Sequence, residues 1–197
     1  MELAKKHGTT VLSDEVYASY CSKRLPSILE YPDNEGIYLN SFSKEFSMTG
    51  WRIGYVVADE QRIAKMRSIV QTTLTNVPEF VQRAALAAVK DPSGQARQAR
   101  RKIARRLVTA CEELRKAGLE LYTPDGGFYV FPRIKRTDID SSKFAEYLLT
   151  RHGVGVLPGT IFGGYTNFMR LAVTESETAV ETGIRRIVKA MDEWPPK

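Results

Sequence analysis

The chain has 197 residues, of which 43% are hydrophobic and 26% are charged, and its formal net charge is +6. This composition is typical of a folded protein of one or two domains and excludes the disordered, collagen-like and membrane-spanning classes. The first six residues mix acidic and basic side chains with no apolar stretch behind them, which is unlike a secretory signal, so we expect a cytoplasmic protein.

Three short apolar runs rich in Val, Ile and Tyr occupy the first third of the chain. They lie at Thr9–Leu12, Ile37–Asn40 and Ile53–Val57 and predict strands buried on both faces of an α/β sheet. The segment Met1–His7, followed by Gly8, is typical of a helix end that leads into a strand. The chain therefore is expected to begin in mid-fold.

Helical patterns follow at Glu60–Thr73 and Pro78–Lys90. A longer pattern extends from about Ser93 to Lys116, and Gly118 terminates it. The long segment carries much of the positive charge. Its cations are Arg97, Arg100, Arg101, Lys102, Arg105 and Arg106, and its apolar residues Ile103, Leu107, Cys111 and Leu114 recur at helical spacing. This pattern predicts an amphipathic helix with a solvated basic face. Because no nucleic-acid-binding motif accompanies it, we expect no nucleic-acid partner. The apolar runs are far shorter than the roughly 18 residues that a bilayer crossing requires, so we expect no membrane partner either.

The last third of the chain alternates strands and helices and predicts a separate α+β unit. The predicted strands are Leu119–Tyr122, Phe128–Phe131, Gly153–Leu157 and Phe168–Val173, and the predicted helices are Ser141–Arg151 and Glu175–Trp194. We expect serines to cap the first of these helices and the carboxylates of Asp138 and Asp140 to lead into it, as helix N-termini prefer. A glycine-rich loop covers Pro158–Tyr165.

The cysteines and histidines are few. Cys21 and Cys111 show no CxxC spacing, and only His7 and His152 accompany them, so we expect reduced, structural thiols and no metal site.

The most specific motif is Ser41-Phe42-Ser43-Lys44, in which a lysine follows a predicted strand. Arg52 comes eight residues later at a turn bounded by glycines. A lysine alone is more often a surface residue, but the serines and the arginine favour a pocket for a phosphorylated carbonyl compound. The lysine would form an imine, while the hydroxyl and guanidinium groups would bind the phosphate.

Two acids and a phenol end another predicted strand, in the segment from Ser13 to Tyr17. One interpretation is a helix N-cap with acids in its first turn. In α/β sheets, however, ligands bind beyond the carboxyl ends of the strands. We therefore expect Asp14 and Lys44 to end neighbouring strands and to face one site.

With these motifs, the chain from Leu3 to about Ala190 resembles the fold-type I pyridoxal-phosphate enzymes, and in particular the class I/II aminotransferases related to aspartate and aromatic aminotransferases. The resemblance implies that Lys44 binds pyridoxal 5'-phosphate covalently, that Asp14 pairs with its pyridine nitrogen and that Tyr17 hydrogen-bonds its phenolic oxygen. It further implies phosphate contacts from Ser41, Ser43 and Arg52. Arg170 matches the family arginine that binds the substrate's α-carboxylate with a forked pair of donors.

The implied reaction is transamination between an α-amino acid and a 2-oxo acid. A carboxylate at Asp14 would keep the pyridine nitrogen protonated, so that the ring accepts electrons when the α-proton leaves. Lys44, once displaced by substrate, would then carry that proton. The same lysine and aspartate also serve other chemistries, such as C–S lysis.

The chain resembles only the C-terminal half of an aminotransferase of this family. It implies a partial large domain at 1–92 with a three-strand remnant of the central sheet, a long interdomain helix at 93–117 and a small α+β domain at 118–197. Because partners of the sheet are missing, we expect exposed apolar strands and a homo-oligomer, or a partner chain that supplies the N-terminal half. A catalytically silent scaffold is the alternative to an enzyme.

Two further segments look familial, namely Pro124–Tyr129 and Pro158–Gly163. Their glycines suit tight turns, and their aromatic residues suit either core packing or a substrate pocket. Both interpretations stay open from the sequence.

Overall fold

The fold is taken from a computed structural model, which describes residues 1–31, 36–136 and 139–194. The chain divides into two units, Met1–Arg100 and Arg101–Lys197, each built from helices on a small three-stranded sheet. The mixed α/β class is as predicted. The domain boundaries proposed near 92 and 117 stay a prediction.

The described residues form seven α-helices, six strands and four short 3-10 helices. The helices are α1 (Glu2–His7), α2 (Phe42–Glu45), α3 (Glu60–Thr73), α4 (Glu79–Lys90), α5 (Gln95–Lys116), α6 (Ser141–His152) and α7 (Glu177–Asp192). The strands are β1 (Leu12–Asp14), β2 (Ile37–Ser41), β3 (Gly54–Val57), β4 (Tyr129–Val130), β5 (Leu157–Pro158) and β6 (Met169–Ala172). No helix in the described ranges is long and apolar enough to cross a membrane.

The sheet of the first unit has the order β1-β2-β3. Strand β1 runs parallel to β2, with Asp14 opposite Leu39, and β3 runs antiparallel to β2, with Ser41 opposite Gly54. The carboxyl ends of β1 and β2 and the beginning of β3 therefore lie at the same edge of the sheet.

Strand β1 is displaced from its predicted position at Thr9–Leu12. The reason is the end of α1, where Gly8 adopts a left-handed conformation with φ 60° and the N–H of Thr9 donates to the carbonyl of Ala4 at 2.9 Å. This closure uses residues that the apolar pattern assigned to the strand.

The strands of the first sheet are more exposed than their composition predicts. Leu12 is 58% exposed, and every residue of β3 is exposed, including Tyr55. Only Tyr38 of β2 is a buried apolar residue of this sheet. Burial on both faces was therefore wrong for this chain, and the expectation of exposed apolar strands is confirmed.

The core of the second unit is better covered. Its largest buried side chains are those of Leu114, Ile134, Phe144, Leu148 and Ile187, each at most 1% exposed. Helix α5 buries Leu107, Cys111 and Leu114, as its helical spacing predicted, and burial raises the pKa of the Cys111 thiol.

Two predicted strands of the second unit are largely absent. The segment predicted at Leu119–Tyr122 forms only one bridge, in which Glu120 and Arg133 exchange backbone hydrogen bonds. In the segment predicted at Gly153–Leu157, Gly153 ends helix α6 in a left-handed conformation, so only its last residue enters a strand.

Asp140, and not a serine as the sequence predicted, forms the N-cap of α6. Its Oδ1 accepts the backbone N–H groups of Ser142 at 3.0 Å and Lys143 at 3.1 Å. These two bonds satisfy donors that the first helical turn leaves without intrahelical partners. Asp138, also assigned to this helix start, lies outside the described residues.

Candidate active site

Strand β1 ends at an exposed carboxylate. The N–H of Val16 donates to Oδ1 of Asp14 at 3.2 Å, and the N–H of Glu15 donates to the carbonyl of Leu39 at 2.9 Å. The β1–β2 ladder thus continues one residue past Asp14 before the chain turns. This turn places Asp14 and Tyr17 at the edge of the sheet where β2 also ends.

Strand β2 leads into the single helical turn α2, which carries Lys44. Ser41 caps this turn, since its Oγ accepts the N–H of Ser43 at 3.1 Å and donates to the carbonyl of Ile53 at 3.3 Å. Asn40 Oδ1 also accepts the N–H of Ser41 at 2.7 Å. The motif predicted that Lys44 directly follows a strand. In the structure it lies instead inside a capped helical turn.

Lys44 and Tyr17 come together across the two strand ends. The Nζ atom of Lys44 lies 5.7 Å from the centroid of the Tyr17 ring. This distance is within the range of a cation–π contact. Both side chains are partly buried, so the amine and the phenol share a protected position.

Arg52 completes this edge of the sheet just before β3. It has a left-handed backbone with φ 53°, and its Nη1 donates to the carbonyl of Thr49 at 2.9 Å. Gly54 follows where the strands approach closely, since a Cβ there would lie 2.8 Å from the carbonyl oxygen of Asn40. In the segment from Gly50 to Gly54, Arg52 therefore lies at a turn with its guanidinium exposed, and Gly54 permits the close approach of the two strands.

Six of the seven predicted site residues therefore lie at one edge of the first sheet. They are Asp14, Tyr17, Ser41, Ser43, Lys44 and Arg52. The seventh, Arg170, belongs to strand β6 of the second unit.

The guanidinium of Arg170 lies over two aromatic rings of its own unit. Its Cζ is 4.4 Å from the centroid of Tyr129 and 4.7 Å from the centroid of Phe162. Because the N–H bonds of a guanidinium lie in its plane, contact with ring faces leaves them available to an anion. In the part of the chain that the structure describes, no carboxylate pairs with this guanidinium.

A cluster of rings supports Phe162. The ring of Phe131 meets Phe162 edge-on at a centroid distance of 5.7 Å and stacks on Phe168 at 5.1 Å. Tyr165 contacts Phe131 at 5.6 Å. Aromatic pairs in this distance range add stability beyond simple burial, so the cluster fixes the ring beneath Arg170.

Sequence reasoning did not single out Tyr129 and Phe162 individually. The two glycine-containing segments that hold these residues were noted, but their aromatic residues suited core packing as well as a substrate pocket. The contacts with Arg170 favour the pocket interpretation for these two rings.

Comparison with known proteins places the chain in a family. Residues 1–187 match the family described as "Aminotransferase class I and II". The chain belongs to this family.

Individual relatives agree. The aspartate aminotransferase of Thermococcus kodakarensis is 37% identical over 98% of this chain and 50% of its own length. The aromatic-amino-acid aminotransferase 2 of Thermococcus litoralis is 34% identical over 98% of this chain and 51% of its own length. The chain thus spans about half the length of the curated relatives it matches.

Solved structures match the fold. The aromatic aminotransferase from Pyrococcus horikoshii superposes with a TM-score of 0.89 and 32% identity, covering 98% of this chain and 53% of that one. The aspartate aminotransferase from Thermotoga maritima gives a TM-score of 0.87 and 31% identity, covering 97% and 50%. These neighbours support an aminotransferase-type fold.

Proposed function

We propose that this chain is the C-terminal half of a pyridoxal-phosphate-dependent aminotransferase, which transfers an amino group between an α-amino acid and a 2-oxo acid. The observation that carries the proposal is the convergence of Asp14, Tyr17, Lys44 and Arg52 at one edge of the first sheet. Membership of the family and relatives named as aminotransferases support it.

The donor set at this edge fits the chemistry of pyridoxal 5'-phosphate. Asp14 offers a carboxylate for the pyridine nitrogen, Tyr17 a phenol for the phenolic oxygen and Lys44 an amine for the aldehyde. Arg52 offers an exposed guanidinium for the phosphate, together with the hydroxyls of Ser41 and Ser43. When bound, the cofactor supplies an electron sink for the electrons released at the substrate's α-carbon.

Each side chain then has a defined task. The Asp14 carboxylate holds a proton on the ring nitrogen by charge and hydrogen bonding. Tyr17 hydrogen-bonds the phenolic oxygen and lies beside the amine of Lys44, so the two groups are oriented together. Lys44, as an amine, would take the proton from the substrate's α-carbon and deliver it to C4′ of the cofactor.

Ser41 has a second task, because its hydroxyl already caps the turn that carries Lys44. A phosphate contact by this hydroxyl would add to a structural hydrogen bond rather than use an uncommitted group. Ser43, which donates its backbone N–H to Ser41, is carried by the same turn. The pair therefore couples the proposed phosphate contacts to the position of the lysine.

Arg170 is proposed to bind the α-carboxylate of the amino acid and of the 2-oxo acid. Its planar fork matches a carboxylate at two points. The rings of Tyr129 and Phe162 contact the guanidinium and restrict its orientation before substrate arrives. Pre-organisation of this kind lowers the entropy cost of binding.

We further propose that the chain works as a homo-oligomer or with a partner chain that supplies the region matching the other half of its relatives. Support comes from the exposed apolar residues of the first sheet, among them Leu12, Tyr55 and Val57. Exposed strand edges and apolar patches commonly mark interfaces.

Amino-group transfer is the direct test. The chain is incubated with pyridoxal phosphate, a panel of amino acids and 2-oxoglutarate, alone and together with a candidate partner chain, and the amino product is quantified. Product that disappears in Lys44→Ala supports the proposal. Cofactor binding without product under every condition would favour the silent scaffold, and release of ammonia and a thiol would favour a C–S lyase.

A further inference from the structure

Lys44 lies on a helix that is too short to be stable without contacts from other segments. Helix α2 spans only Phe42–Glu45, and the last carbonyls of any helix lack intrahelical partners. Isolated helices much longer than one turn are only marginally stable in water. The carbonyl of Lys44 accepts the backbone N–H of Ser47 at 3.3 Å, and the position of Lys44 depends also on contacts that reach α2 from other segments.

Two of these contacts are made by hydroxyl groups. The hydroxyl of Tyr20 donates to the carbonyl of Lys44 at 2.9 Å, and the hydroxyl of Thr49 donates to the carbonyl of Ser43 at 3.2 Å. Tyr20 ends the short 3-10 helix Ala18–Tyr20, directly after the segment that carries Asp14 and Tyr17. The same loop thus supplies proposed cofactor contacts and a hydrogen bond to the lysine's own backbone.

A third contact satisfies the next carbonyl. Nη1 of Arg100 donates to the carbonyl of Glu45 at 3.2 Å and lies 3.5 Å from the Glu45 carboxylate. Both side chains are largely buried, at 20% and 29% exposure, which reduces screening by solvent. Three consecutive carbonyls of the lysine turn therefore accept side-chain hydrogen bonds from three separate segments.

Tyr20 is suited to a permanent donor role. Its side chain is partly buried, and burial raises the pKa of its hydroxyl above the ordinary value. The hydroxyl therefore keeps its proton throughout the range in which an enzyme of this class works. Removing only this oxygen leaves the ring in place and tests the hydrogen bond alone.

We propose that Tyr20 and Arg100 are positioning residues for Lys44, which hold the backbone of its helical turn so that the amine is presented beside Tyr17. The proposal rests on the proposed function of Lys44 as the cofactor-binding lysine. Both residues donate to backbone carbonyls of the turn, which is why we assign them a positioning role.

The test uses conservative variants with matched controls in the full chain. Tyr20→Phe removes the hydroxyl, and Arg100→Met removes the guanidinium while keeping an unbranched stem. Tyr122→Phe is the tyrosine control, since Tyr122 is 96% exposed, and Arg97→Met is an exposed arginine control on the same helix.

The first readout is amide hydrogen exchange over residues 42–48 without cofactor. Loss of one hydrogen bond should accelerate exchange of these amides about fivefold, and no such change should occur in helix α4. The second readout is the pH profile and rate of borohydride-fixed pyridoxylation at Lys44, relative to exposed Lys65 in the same sample. The Lys44-to-Lys65 ratio should fall about fivefold in Tyr20→Phe and Arg100→Met and stay unchanged in both controls.

Unchanged exchange over 42–48 in both variants overturns the proposal. Faster exchange with an unchanged Lys44 rate and pH profile also overturns it, because the contacts would then stabilise the turn without positioning the amine. If the wild-type chain shows no label at Lys44, the proposed function fails instead, while faster exchange in Tyr20→Phe still supports the hydrogen bond to the turn.

Discussion

The guanidinium carbon of Arg170 lies 4.4 Å from the centroid of the Tyr129 ring, and this contact joins two motifs that are 41 residues apart in the chain. Tyr129 follows a glycine-containing turn into β4, and Arg170 lies on β6, which pairs with β4. The sheet thus brings an aromatic face to the proposed carboxylate-binding residue.

Removing the ring of Tyr129 should weaken carboxylate binding, because the guanidinium loses part of its orientation. A cation–π contact at a partly exposed site contributes about 0.5–1 kcal/mol, so Tyr129→Leu should raise the dissociation constant for succinate about fivefold at most. The measurement is an NMR titration that follows the guanidinium signals of Arg170. Tyr129→Phe, which keeps the ring, should bind like the wild type, and equal affinities for all three proteins would contradict the role of the ring.

Arg170→Lys should affect carboxylate binding without affecting the cofactor site. A lysine offers a point charge in place of two parallel donors, and loss of one charge-assisted hydrogen bond should weaken succinate binding about tenfold. Pyridoxylation of Lys44 in the same variant should keep its wild-type rate. An unchanged succinate affinity would show that Arg170 is a surface residue, whose ion pairs typically contribute about 0–1 kcal/mol to stability.

Much of this site could be predicted from the sequence because it follows strand ends. Asp14 and Lys44 were expected at one edge since parallel strands end at the same side of a sheet, and the register confirms that β1 and β2 do so. Helix α3 was predicted with its observed bounds, and in the structure Oδ1 of Asp59 caps it by accepting the N–H of Arg62 at 2.9 Å.

The remaining features depend on tertiary contacts that carry no local signal. The hydrogen bond from Tyr20 to the carbonyl of Lys44 joins residues 24 positions apart and uses a backbone acceptor that every residue possesses. Strand β4 lies inside the predicted segment Phe128–Phe131, whereas β5 shares only Leu157 with its predicted segment, since two residues are too short for a periodic pattern. The exposure of β3 could not be predicted from its apolar composition, which is typical of a buried strand.

The exposed first sheet should make the chain self-associate or bind a partner. In the described ranges, β1 and β3 are the outer strands of this sheet, and Val57 is 38% exposed. Val57→Lys should lower the weight-average mass measured by light scattering and the binding of a hydrophobic dye. Leu149→Lys, at a 60% exposed site on helix α6 of the second unit, is the control. A wild-type chain that is a monodisperse monomer at high concentration without dye binding would contradict this prediction.

Alkaline pH should destabilise the first unit through Tyr55. Tyr55 is 45% exposed, but the partial burial that remains, with a smaller contribution from the hydrogen bond to Tyr38, raises its pKa from 10.0 to about 12. The unfolded chain loses this proton near pH 10 while the folded chain retains it, so stability is present below pH 10 and falls as the pH rises toward 12.

Urea unfolding between pH 9 and 12, followed by fluorescence, measures this effect. Tyr55→Phe should reduce the loss of stability in that window, because a phenylalanine has no proton to lose. Tyr122 is 96% exposed, so Tyr122→Phe should lose stability with rising pH as the wild type does. The same pH dependence in all three proteins would show that Tyr55 does not contribute.

The most direct test of the account is the site of covalent cofactor attachment. The chain is mixed with pyridoxal phosphate, reduced with borohydride and mapped by peptide mass spectrometry, with Lys44→Ala treated in parallel. We expect the label on Lys44 in the wild type and its loss in the variant, because only this lysine follows a Ser-x-Ser sequence at the sheet edge shared with Asp14. A label spread over surface lysines such as Lys5 and Lys116, and equal in the two proteins, would contradict the assignment of this edge as the cofactor site.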